Sequence, residues 1–218
     1  MKPVRTAALA FITALAAGSA FAQSTTVQPT DDWDMTRDPS KKLVLAHVGL
    51  SSGLMIATRC MDGRFDVLLA GLPPAPGRDL TRPLALGWDG EVGGPSTWNV
   101  TTDRSVVLAS FPAAAARRLR LGGRLQVSIP NGASDGRTLR HDVELPLSSA
   151  AIEETLTACG KPLVDPRDAL LPDVPASGLS APARWARPPR PSYPSSSRYA
   201  SGYAVATCLT QPDGKLGD

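Results

Sequence analysis

The sequence predicts a mainly β protein with two short helices, of β-sandwich or barrel-like form, followed by a proline-rich linker and an incomplete α+β module. From Lys42 to Gly160 short apolar runs alternate with turn signals, the pattern of a sheet protein. Only two stretches in that span show helical spacing closed by glycine. Beyond Lys161 prolines arrive every few residues and the alternation dissolves. The chain has 218 residues, of which 42% are hydrophobic, enough for a packed core; 21 prolines and 19 glycines demand many turns.

Residues 1–22 read as a signal peptide. Lys2 and Arg5 form a basic start, Thr6 to Ala16 an apolar run, and Ala20-Phe-Ala22 an A-x-A cleavage site before Gln23. The apolar run is too short for an ordinary spanning helix, so the expected product is periplasmic, with no membrane span after cleavage. Removing Lys2 and Arg5 from a net charge of +3 leaves a nearly neutral protein, which argues against nucleic acid as a partner.

Residues 23–41, polar and acidic around Trp33, read as a flexible arm, and residues 42–160 as the β-rich domain. Its expected strands are Leu43–Val48, Leu54–Cys60, Phe65–Leu72, Arg82–Trp88, Ser105–Ser110, Arg124–Ile129 and Leu139–Leu147. Between them lie Gly49 to Gly53, Asp62-Gly63, Asp89-Gly90, Gly93-Gly-Pro95 and Asn131-Gly132, residues suited to the positive φ of turns; Asp62-Gly63 is the best tight-hairpin candidate. Ser110 is placed to cap a helix over Phe111–Leu121, with Pro112 in its first turn and Gly122-Gly123 at its end. Ser149 is placed to cap a second over Ala150–Cys159, where Ile152, Leu156 and Cys159 form one buried stripe.

Three cysteines in an oxidising compartment cannot all pair within the chain. Cys159 on its helical stripe is expected to face Cys60 at a strand end, which leaves Cys208 unpaired. A bridge closing so long a loop contributes on the order of 4 kcal/mol. With no two cysteines close in sequence and only His47 and His141 as histidines, no metal site is expected.

No catalytic motif is found: no nucleophile elbow, zinc-protease pair, phosphate loop or dinucleotide fingerprint. His141 and Asp142 are adjacent on a strand and point to opposite faces. Glu153-Glu154 lie in a helix first turn, where carboxylates suit the positive end of the dipole. Nothing in the spacing of Asp62, Asp66, Asp89 and Asp142 gathers them. The reading is therefore no enzyme and no cofactor.

Residues 161–190 read as the proline-rich linker, extended and partly polyproline II in character. It carries Arg184, Arg187 and Arg190 around Trp185, most simply a soluble basic spacer. Residues 191–218 begin Arg190-Pro-Ser-Tyr-Pro194, a stiff approach to a short helical segment. From Gly202 a strand runs to Thr210, with Val205, Thr207 and Leu209 on one face, and Pro212-Asp213-Gly214 then makes a turn.

This tail resembles the start of the TonB C-terminal domain family, the periplasmic energy-transducer module. The matching residues are Pro191, Tyr193, Pro194, Gly202, Val205, Asp213 and Gly214, and the proline-rich stretch before them matches the family's spacer. The resemblance covers about an eighth of the chain. It implies energy transduction to, or docking on, outer-membrane TonB-dependent transporters by β-addition of a transporter peptide, and a pairing partner for Cys208 on the next strand. The family's long helix and third strand are not among these residues, so the expectation is a truncated product, a fragment, or a module completed by another chain. Because the N-terminus reads as cleavable, the implied role is that of a periplasmic adaptor. More weakly, the first domain is similar to the invasion-associated locus B family in its tryptophan-led start, cysteine-ended strand and cysteine-ended closing helix. The alternative function is a ligand- or protein-binding β-domain with a vestigial tail.

Overall fold

The structure, a computed structural model, describes residues 32–173, 187, 190, 192 and 208–217. Residues 1–31, which include the expected signal peptide and the start of the expected arm, lie outside the described residues. The strands are β1 (Asp34–Asp38), β2 (Leu43–Gly49), β3 (Met55–Met61), β4 (Arg64–Ala70), β5 (Thr81–Trp88), β6 (Pro95–Val100), β7 (Val107–Ala109), β8 (Gly123–Ile129) and β9 (Leu139–Leu145). They form one nine-stranded antiparallel sheet in the order β1-β2-β3-β4-β7-β6-β5-β8-β9. Helix α1 is Pro112–Leu119 and α2 is Ala150–Ala158.

Turn chemistry sets the register. Asp62 and Gly63, with φ of 49° and 79°, sit between the paired residues Met61 and Arg64, a two-residue turn whose twist matches that of the strands. Asp89-Gly90, with φ of 51° and 92°, closes a similar turn between Trp88 and Glu91. From these registers one face of the sheet collects Ala46, Ile56, Val67, Leu69, Val107, Leu84, Leu125 and Val127, all buried in a single core. Nine strands span about 38 Å edge to edge, whereas helices of eight and nine residues reach only about 12 and 14 Å. The helices pack against the β2–β4 and β7 region, and the buried residues of the inner face belong to one core.

The closing helix is fixed to the sheet by side chains the stripe foretold. Ile152 and Leu156 are fully buried. Thr155 shares a buried hydroxyl hydrogen bond of 2.8 Å with Thr58 of β3 and also donates to the Ile152 carbonyl. One turn further, Cys159 is bonded to Cys60 with the Cα atoms 5.5 Å apart, as expected. Among the described residues no helix is long and apolar enough to cross a membrane.

Several expectations change. The end of the arm is ordered structure: Trp33 is buried, β1 pairs with β2, and Met35 packs on the core. The charges of Asp34, Arg37 and Asp38 concealed this strand because an edge strand needs only one apolar face. β6 was missed because Pro95 opens it, where its lack of an N–H is tolerated. Gly93 just before it lies so close to the Leu86 carbonyl that a Cβ would fall 1.5 Å from the oxygen. Helix α1 starts one residue later than expected, at an N-cap Phe111 with no side-chain cap, because the Ser110 hydroxyl donates to the Thr97 carbonyl of β6 instead. Ser149 holds the N-cap of α2 but makes no side-chain cap bond. Finally, residues expected to begin the linker form a 3-10 helix, Pro166–Asp173, folded back onto the domain.

Candidate functional site

The C-terminal margin of the β domain is where its chemistry concentrates. After α2 the Lys161 N–H donates to the Leu156 carbonyl at 2.9 Å, turning the chain back toward α1. There Arg117, on the buried side of α1, receives it. Its guanidinium donates to both carboxylate oxygens of Asp168 at 2.5 and 2.7 Å and to the Pro162 carbonyl at 3.0 Å. The bidentate fork fixes orientation as well as charge. Asp168 raises the pKa of Arg117 above its ordinary value. Asp165 lies 3.7 Å from the same guanidinium. It accepts from the Arg167 side chain and backbone N–H, and these bonds lower its pKa to about 2.

Between α1 and the returning segment lies an open cleft of about 420 Å³. Phe65, Phe111, Pro112 and Leu171 give it an apolar lining, and Lys161 and the Arg167–Asp165 pair give it a charged one. Such a surface suits an amphipathic group, an apolar side chain beside a charge, more than a wholly apolar ligand.

The tail carries the second candidate feature. β10 (Leu209–Thr210) and β11 (Leu216–Gly217) pair antiparallel across Pro212-Asp213-Gly214. The Gly214 N–H donates to the Gln211 carbonyl at 2.9 Å, and the Gln211 N–H donates to the Lys215 carbonyl at 2.8 Å. Gly214 has φ of 79°, and the Asp213 carboxylate accepts from the Lys215 N–H, which lowers its pKa. Cys208, just before β10, is a free and exposed thiol. Pro191, Tyr193, Pro194, Gly202 and Val205 lie outside the described residues.

Other singled-out residues are dispersed. Asp62 pairs with Lys42, Asp66 with Arg59 and Arg64, Asp89 with Arg118, and Asp142 with Gln126. His141 lies on the inner face of β9 and Asp142 on the outer, as their adjacency requires. Glu153 and Glu154 are held by Arg120 and Arg37. Among the described residues no group of His, Cys, Asp or Glu is arranged to hold a metal.

Arg117, Asp165 and Asp168 were missed by sequence reading. A signal was present: Asp165-Pro166 is an N-cap followed by proline at the first helical position. Arg117 had none, because its partners lie about fifty residues away.

The described fold is thus a disulfide-tied, mainly antiparallel β domain with a clasped C-terminal segment. No family model, no curated protein and no solved structure matches the chain.

Proposed function

We propose that this chain is an exported periplasmic protein of TonB-like character, whose tail docks on outer-membrane transporters and whose β domain is the folded body from which the tail extends. The observation that carries the reading is the hairpin of β10 and β11. Its strand–turn–strand falls where the resemblance to the energy-transducer module requires it, with Asp213 and Gly214 in the turn. Recognition in this mode is β-addition: backbone hydrogen bonds give affinity and alternate side-chain positions give selectivity. A two-stranded hairpin is marginal alone, so docking needs further strands from the rest of the module or from the partner.

The test is capture of the full natural gene product by immobilised N-terminal plug peptides of outer-membrane transporters. Binding is expected, and it should weaken at least about tenfold when Gly214→Val strains the turn at positive φ. Absence of capture by any plug peptide would overturn the transporter reading.

A second reading has its own support in the cleft beside α1. There the β domain itself is the binding module, taking an amphipathic peptide or small molecule against Phe65, Phe111 and Lys161. Retention of a periplasmic ligand by a protein lacking the tail, lost in Phe111→Glu, would favour this reading.

A further inference from the structure

The two edges of the sheet differ in length. β1 has five residues, three of them charged, and runs directly into Pro39. β9 has seven, Leu-Arg-His-Asp-Val-Glu-Leu, and runs into Pro146; its charged residues Arg140, Asp142 and Glu144 alternate along one face. Among the described residues its outer edge has no partner.

The groups on that edge follow from the neighbouring ladder. The Asp89 N–H donates to the Arg124 carbonyl at 2.8 Å, so Arg124, Gln126 and Ser128 turn their backbone groups toward the β5 side. Leu125, Val127 and Ile129 turn theirs toward β9, where their register partners are Val143, His141 and Leu139. Backbone direction alternates along a strand, so Arg140, Asp142 and Glu144 point their N–H and C=O groups outward from the sheet. Their side chains are exposed as well.

We propose that this edge is a homodimerisation site: β9 pairs antiparallel with β9 of a second copy, about a two-fold axis at Asp142. Charge order selects the second copy as the occupant. In this register each Arg140 stands opposite Glu144 of the other copy, and Leu139 stands opposite Leu145. All the outward N–H and C=O groups of Arg140, Asp142 and Glu144 are then paired. Sliding the register by two residues leaves Glu144 or, in the other direction, Arg140 without a β9 partner, and sliding by one puts the apolar face outward. Asp142 meets its own equivalent, a like-charge opposition that costs affinity. The cost is moderated because each Asp142 accepts from Gln126 at 3.0 Å and lies 4.0 Å from Arg124. A single edge-to-edge seam is smaller than a standard interface, so the dimer is weak and exchanges. The inference rests on the β domain alone and is independent of the tail's role.

The test is sedimentation velocity of the mature chain in a Cys208→Ser background, which removes thiol-linked dimers. A concentration-dependent dimer is expected. Arg140→Glu should raise its Kd about tenfold or more, and Arg140→Glu with Glu144→Arg should return it to within about threefold of the starting value. Asp142→Asn, which removes the repulsion at the axis, should tighten it. Circular dichroism and thermal melts of each variant establish that the fold is kept. A protein that stays monomeric at millimolar concentration overturns the proposal. So does a dimer indifferent to Arg140→Glu, or one that the charge swap does not restore. Amide protection at Arg140, Asp142 and Glu144 in a monomer would assign the edge to another strand of the same chain, and also overturns it.

Discussion

At Asp165 a single carboxylate joins two layers of the fold, bonded to Arg167 within its own turn and close to Arg117 of α1. The Arg167 hydrogen bonds hold its pKa at about 2, below the value near 3.9 of an unfolded aspartate. A carboxylate depressed in the folded state contributes stability that is complete above the unfolded pKa and is lost as pH falls toward the folded one. Acidification from about pH 5 to about pH 2 should therefore loosen residues 161–171 before the sheet. Hydrogen exchange read by mass spectrometry at matched intrinsic rates tests this. Accelerated exchange is expected in that segment with β3 and β4 still protected; equal protection across the pH range would contradict it.

Between elements, the bond from Cys60 to Cys159 closes a loop with a sequence separation of 99 and fixes the end of α2 to the end of β3. Loop-closure entropy gives such a bridge about 4–5 kcal/mol. Replacing both cysteines by serine should lower the unfolding free energy by that amount, read as a fall in the urea midpoint, and an unchanged midpoint would show that the bridge is idle. This pairing was legible because Cys159 lies on the same helical stripe as Ile152 and Leu156. The interior strands were legible for a similar local reason: Asp62-Gly63 and Asp89-Gly90 mark turns whose chemistry resides in adjacent residues. β1 was not, since its partner β2 supplies most of the pattern that makes Asp34–Asp38 a strand. β6 was hidden behind Gly93 and Pro95, which read as turn while also serving the start of a strand. The clasp of Arg117 on Asp168 depends on a meeting of distant residues that no local window contains. In the tail, the Asp213-Gly214 turn was readable for the same reason as the other turns.

For the molecule as a whole, one continuous sheet around one core predicts one cooperative unit. Trp33, buried beside the first strand, and Trp98, buried on β6, report on distant parts of the sheet. Near-ultraviolet dichroism and far-ultraviolet dichroism should follow a single coincident urea transition; two separated transitions would show that the sheet is two units. The disulfide also decides how this body would bear tension. Suppose the chain beyond Asp173 is pulled, as a linker tethered to an outer-membrane transporter would pull it. The load first meets the Arg117 clasp on residues 162–168, and then reaches Cys159. From there the covalent route leads to Cys60, bypassing every strand from β4 to β9 and both helices. A pull directed through the N-terminal side can peel β1, β2 and β3, but the span between the two cysteines cannot lengthen. The bond thus acts as a mechanical fuse box in reverse: it confines yielding to the margins and shields the central sheet from force.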